Sequence, residues 1–212
     1  MSVDPTLSVF SSNRLCVWGA GLIDETHQLK RRPRHVYAVR GPLTRRALET
    51  QGIEAPPIYG DPALLFPRYY RPAFDTKFRL GIVPHYVDKD ASWVEFMRRD
   101  PECCVIDVTG DVHAFVDQIC QCERVVSSSL HGVIVADAYG VPSLWIELSD
   151  AVRGGGFKFR DYYSSIGVSD AQPVRIRDAS DATPESLAKA FVDREVKIDL
   201  DLLLEACPFF EG

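Results

Sequence analysis

No apolar run in the 212 residues approaches the ~18–20 that a membrane-crossing helix requires. The N-terminal stretch MSVDPTLSVFSSNR has no basic segment followed by a long apolar one, so no secretory leader is expected. Positive charge is not in excess: 24 Lys and Arg stand against 30 Asp and Glu, a formal charge of −6. That balance excludes a protein that coats nucleic acid non-specifically, although a local basic pocket remains compatible with it. The six cysteines, Cys16, Cys103, Cys104, Cys120, Cys122 and Cys207, form no CxxC pair. Zinc spacings are absent, so no metal site is expected, and Cys104 in its apolar run reads as a small buried hydrophobe in a reducing compartment. A Walker loop, HExxH and GxSxG are missing, as are internal repeats and low-complexity segments.

What is present is ordinary for a globular protein: 46% hydrophobic and 25% charged residues. At ~150 residues per domain the length fits one large domain or two small ones. A short apolar run, a small or polar turn and a helical pattern recur along the chain. In the first half the runs are 15–18, 35–39 and 57–59, with a helix predicted over 44–51. In the second half they are 80–83, 104–108, 124–126 and 143–146, with helices predicted over 91–98, 112–121 and 130–139. Short apolar strands alternating with helices predict an α/β fold with parallel sheets covered on both faces. Residues 68–79 break the pattern and read as a linker, 150–172 as loop-rich, and 184–204 as one or two amphipathic helices. The expected division is a partial N-terminal half (1–75), a C-terminal Rossmann-like domain (76–180) and a helical tail (181–212).

Ligands of open parallel sheets bind beyond the carboxyl ends of the strands. The predicted strands deliver Gly19 and Gly21, Arg40, Asp61, His85, Asp107, Ser127 to His131, and Glu147 there. The densest signal is Ser127-Ser128-Ser129-Leu130-His131-Gly132, where a strand stops at three serines and a helix begins. The serines can cap the first turn, whose N–H groups and positive dipole end suit an anion, and Gly132 leaves space for a ligand. His131 faces that anion or is a buried, hydrogen-bonded imidazole; both readings stand. Arg40 directly follows a buried strand, where an unpaired charge is costly, so a carboxylate or phosphate partner is expected. Asp61 is a turn cap or a site residue. Lys158 and Arg160 either clamp an anion or are exposed loop cations. Gly19-Ala20-Gly21 lacks the third glycine and the acidic residue of a dinucleotide fingerprint, so NAD binding is rejected.

The Ser127–Gly132 run, followed by Ala136, Ala138 and Gly140-Val141-Pro142, resembles the polysaccharide pyruvyl transferase family. Val39-Arg40-Gly41-Pro42-Leu43-Thr44, then Gly60-Asp61-Pro62-Ala63-Leu64-Leu65, then Leu80 to Tyr86, and finally Lys158-Phe159-Arg160-Asp161-Tyr162 are similar to further segments of that family, in its order. Two departures stand out. The family's glycine-rich first turn is not seen, so the N-terminal half is expected to be shortened. Ser129 also stands where many members carry Arg.

The resemblance implies two Rossmann-like halves in the architecture of the B-type (GT-B) glycosyltransferases. It implies transfer of a pyruvyl group from phosphoenolpyruvate to sugar hydroxyls as a ketal, on a polysaccharide or lipid-linked glycan precursor. It further implies a cytoplasmic protein with peripheral contact at the inner membrane face, and phosphoenolpyruvate as substrate, with no cofactor. Under that reading His131 is the acid/base, His85 the second candidate, and Asp61 orients the acceptor. Arg40, Ser127, Ser128, Ser129, Leu130, Gly132, Lys158 and Arg160 bind substrate. Two other readings remain: a GT-B glycosyltransferase using a nucleotide sugar, and a non-catalytic homologue that binds glycan or a partner.

Overall fold

The computed structural model describes residues 15–73, 75–192 and 194–209. The chain divides into two compact units. Unit 1 comprises the described residues up to Leu65, the segment Arg153–Ala171 and the described residues from Val196 onward; unit 2 comprises Phe66–Val152 and Gln172–Glu195. The division lies ten residues before the position expected from sequence, and the glycine-rich segment after 152 returns to the N-terminal unit.

Unit 2 is a five-stranded parallel sheet. Its strands are β3 (Leu80–Val83), β4 (Cys103–Val105), β5 (Val125–Ser127), β6 (Ser143–Glu147) and β7 (Val174–Arg175), in the order β4-β3-β5-β6-β7. Unit 1 contributes β1 (Cys16–Val17) and β2 (His35–Val36), also parallel. The bridges Ala20↔Val39 and Val39↔Tyr59 extend that pair, so the third predicted strand of the first half is a single bridge.

The unit 2 strands read as continuous apolar runs because both faces are covered. On one face Leu80, Ile82, Val126, Leu144 and Ile146 pack with Trp93, Val94 and Met97 of α2 (Ser92–Met97) and Leu187 of α6 (Pro184–Ala188). The remaining helices of the unit are α3 (Val112–Cys120) and α4 (Leu130–Ala138), which pack on each other; α4 also lies on β5 and β6. A parallel βαβ crossover is right-handed. β3 leads through α2 to β4 on one side, whereas β4 leads through α3 back past β3 to β5. The two crossovers therefore run in opposite directions, and the strand order reverses between β3 and β5. Tyr70, in the predicted linker, packs on α3: its hydroxyl donates to Asp117 Oδ1 (2.7 Å), and its ring meets His113 edge-on at 4.5 Å.

In unit 1, α1 (Pro42–Glu49) carries Pro42 at its start, where the missing N–H costs nothing. Its buried side joins Val17, Leu22, Val39, Leu48 and Ile53 in a core that also holds Phe157. Phe157 begins α5 (Phe157–Ser165), a helix where sequence suggested loop. The tail forms α6 in unit 2 and α7 (Leu200–Glu205) in unit 1, where Trp18 Nε1 donates to the Leu203 carbonyl at 2.8 Å. Among the described residues no helix is long and apolar enough to cross a membrane.

Candidate active site

In a doubly wound sheet the crevice opens where strand order reverses, beyond the carboxyl ends of the two strands involved. Here those ends are Val83 and Ser127, which pair in register. The turn after Ser127 is fastened from within. Ser127 Oγ lies 2.9 Å from the Val83 carbonyl and 2.7 Å from the Ser129 carbonyl, and it accepts from the Ser129 N–H at 3.0 Å. Ser128 Oγ accepts from the His85 N–H at 2.8 Å, while the Ser128 N–H donates to the Val83 carbonyl at 3.1 Å. Two loops that sequence read separately are thus joined, and His85 stands beside the α4 turn.

The serines stitch the turn rather than cap the helix. Ser129 is the N-cap residue by position, but its side chain accepts no first-turn N–H. The first turn of α4 therefore keeps its positive end free of a side-chain cap. His131 is exposed at that turn, so the buried-imidazole reading is ruled out. Leu130 is buried. Gly132 is buried as well, and for a reason other than ligand access. A Cβ there would stand 2.3 Å from Ser127 Oγ and 2.8 Å from Val83 Cβ, so only glycine lets α4 close onto β3 and β5.

Sequence reasoning missed Asp88. It lies in the turn that begins at His85, its N–H donating to the His85 carbonyl at 2.7 Å, and it is 4% exposed. Ser149, which follows β6, donates its hydroxyl to Asp88 Oδ1, so a link between the β3 and β6 loops passes over the end of β5. Asp88 Oδ2 is buried without a hydrogen-bond partner. The available signal was its position three residues after His85. Among the described residues no cluster of three or more His, Cys, Asp or Glu could hold a metal ion.

The remaining candidates belong to unit 1. Arg40 is 2% exposed and has its expected carboxylate partner: Nε donates to Asp161 Oδ2 at 3.0 Å and Nη2 to the Leu22 carbonyl at 2.7 Å. Thr44 completes the network, donating from N to Asp161 Oδ1 (2.9 Å) and from Oγ1 to Oδ2 (2.6 Å), and accepting from the Leu22 N–H (3.1 Å). Asp61 Oδ1 accepts from the Ala63 N–H at 3.0 Å, which makes Asp61 the cap of the 3-10 turn Pro62–Arg68. Lys158 and Arg160 sit on α5 rather than in a loop, and both are half-buried. Arg160 Nη2 donates to the Gly155 carbonyl at 2.8 Å. Burial, reinforced by the nearby Arg40 charge, lowers the Lys158 ammonium to about 8.

The chain's similarities agree with the motif at the β5–α4 turn. An uncharacterized protein of Acanthamoeba polyphaga mimivirus is 32% identical over 171 residues, covering 76% of this chain and 58% of its own. The succinoglycan biosynthesis protein ExoV of Rhizobium meliloti is 29% identical over 146 residues, covering 63% of this chain and 41% of its own. The chain thus spans about half the length of the curated relatives it matches. No solved structure matches it. The sequence profile of the polysaccharide pyruvyl transferase family matches residues 7–150, which include Arg40, Asp61, His85 and the whole Ser127–Gly132 turn. Over that span the chain belongs to the polysaccharide pyruvyl transferase family.

Proposed function

We propose that this chain transfers a pyruvyl group from phosphoenolpyruvate to hydroxyls of a polysaccharide or its glycan precursor. One observation carries the reading beyond family membership. The first turn of α4, uncapped by any side chain, opens at the strand-order reversal with His131 exposed on it. Such a helix end suits the phosphate or carboxylate of the donor.

The chemistry then has two steps. The His131 imidazolium gives its proton to the donor's methylene carbon as a sugar hydroxyl attacks the adjacent carbon. A second sugar hydroxyl attacks the same carbon, and the C–O bond to phosphate breaks. Inorganic phosphate leaves and a cyclic ketal remains. His85, held by its main chain to Ser128, is the second acid/base: it accepts the first hydroxyl's proton and passes it to the departing phosphate, while the second hydroxyl's proton returns to His131. Asp88, buried in the same turn, holds the loop that carries His85 against Ser149.

Two measurements on the full chain test this reading. Phosphoenolpyruvate should raise the melting temperature, and UDP-sugars should not. With a pyruvyl-accepting glycan, phosphoenolpyruvate should release inorganic phosphate. Stabilisation by a UDP-sugar alone would favour a nucleotide-sugar glycosyltransferase, and binding without phosphate release would favour a non-catalytic homologue.

A further inference from the structure

Four of the six free thiols, those of Cys103, Cys104, Cys120 and Cys122, lie close together in unit 2. Two of them are in contact. β4 pairs with β3 so that Cys104 stands opposite Gly81. Side chains of paired residues project from the same face of a sheet. Gly81 has no side chain, and Cys122 occupies the vacated place. Its Sγ lies 2.8 Å, and its Cβ 3.3 Å, from where a residue-81 Cβ would be. Cys122 reaches this position from the turn that ends α3, its N–H donating to the Ile119 carbonyl at 3.1 Å. The Cys122 thiol can donate to the Gln118 carbonyl, 3.1 Å away, or to the neighbouring Cys104 thiol.

The two members differ in ways that assign roles. Cys104 is partly exposed, whereas Cys122 is 4% exposed. The hydrogen bond from Cys122 lowers the Cys104 thiol to about 7, and the same bond together with burial pushes the Cys122 thiol up. Burial also pushes Cys103 up to about 12 and Cys120 up to about 11. A partly exposed thiol with a lowered pKa beside a second thiol has the features of a redox-reactive cysteine with a resolving partner.

We propose that Cys104 and Cys122 are a peroxide-reactive dithiol, in which Cys104 attacks a hydroperoxide and Cys122 resolves the product to an intramolecular disulfide. In the first step the Cys104 thiolate attacks the terminal peroxide oxygen and the O–O bond breaks. The alkoxide takes a proton and leaves as alcohol (water, for hydrogen peroxide), and Cys104 becomes a sulfenic acid. In the second step Cys122 loses its proton to solvent and attacks Cys104 Sγ. The S–O bond breaks, hydroxide leaves as water, and the S–S bond forms. The two thiols lose two electrons and the peroxide gains them.

The test uses the full chain, equimolar hydrogen peroxide and peptide mass spectrometry after alkylation. The expected product is one cross-link, Cys104 to Cys122, with the mass loss of two hydrogens. Cys122→Ser should leave a dimedone-trappable sulfenic acid on Cys104, and Cys104→Ser should leave Cys122 unmodified. Should either variant fail to fold, the native chain supplies a second readout. Iodoacetamide at pH 7 should alkylate Cys104 at least about 10-fold faster than Cys103, Cys120 or Cys122. A cross-link between another pair, peroxide reaction at Cys122 in Cys104→Ser, or equal alkylation rates would overturn the proposal. None of these readouts depends on pyruvyl transfer, so the proposal and the proposed activity stand or fall separately.

Discussion

Unit 1 and unit 2 use polar residues at strand ends in opposite ways. In unit 1 the charge that follows a buried run is closed off. Arg40 meets Asp161 of α5, Thr44 binds the same carboxylate, and Leu22 is held by both. In unit 2 the polar residues fasten the loops to one another, through Ser127, Ser128 and Asp88 with Ser149, and leave one imidazole outside. Both patterns look alike along the chain: an apolar run, then a charged or hydroxyl residue, then a helix. They diverge on what a distant segment brings: a carboxylate that neutralises Arg40 in unit 1, hydrogen bonds from loop to loop in unit 2. Asp161 is 121 residues from Arg40, and no local spacing announces it.

The sharpest way to break the comparison is to exchange readouts between the units. His131→Ala should lower phosphoenolpyruvate-dependent phosphate release by about 10²–10⁴-fold, the usual worth of a general acid/base, and leave the urea unfolding midpoint unchanged. Asp161→Ala should do the reverse in kind. It strands the buried Arg40 guanidinium and the Thr44 donors, a change that costs about 3–5 kcal/mol when a buried pair loses one member. Urea denaturation reads that loss directly. A stable Asp161→Ala chain would mean that the unit 1 network is incidental, and an unfolded His131→Ala chain would mean that the imidazole is structural.

These opposite uses explain what could be read from sequence. The alternation of apolar runs and helices specifies the parallel α/β fold, because strands covered on both faces must be apolar throughout. The β5–α4 turn was legible because three serines, His131 and Gly132 fall in one contiguous stretch. Helix α5 was not legible, since its buried positions, Phe157, Phe159, Asp161, Tyr162 and Tyr163, include a carboxylate and follow no 3.6-residue rhythm. The edge strand β7 is a Val-Arg pair with its arginine exposed, so it offers no apolar run to be seen. Asp88 was missed for a related reason: its partner Ser149 lies beyond another strand, and only the sheet order brings the two together.

Gly132 sharpens the comparison on a smaller scale. If its role is to let α4 close onto the sheet, Gly132→Ala should cost about 1–3 kcal/mol through overpacking, whether or not any donor is present. Pairing it with Ser127→Ala removes the nearer obstacle, Ser127 Oγ, but leaves Val83 in place. The double variant should therefore recover only part of the steric cost, and it also forfeits the stitching hydrogen bonds. A full-stability Gly132→Ala chain that fails only in phosphate release would instead return Gly132 to the ligand side.

The smallest expected effect concerns Lys158, a half-buried cation of unit 1. Its folded value of about 8 lies below the ordinary 10.5 because burial and the Arg40 charge oppose its ammonium form. The unfolded chain therefore holds this proton more tightly than the folded one between those two values. Stability depends on pH according to the difference in bound protons, so this residue makes stability rise as pH climbs from about 8 towards 10.5. Below about 8 the folded chain bears the full cost of keeping a charge in that place. Lys158→Met removes the charge and keeps the stem. It should stabilise the protein at pH 7 by on the order of 1 kcal/mol, a figure reduced by the side chain's remaining contact with solvent. The difference between wild type and variant should shrink as pH rises through that window, which urea midpoints at pH 7, 9 and 10 can follow. A variant less stable than wild type at pH 7 would mean that the ammonium has a stabilising anionic partner in unit 1, and Lys158 would then resemble Arg40 rather than an uncompensated cation.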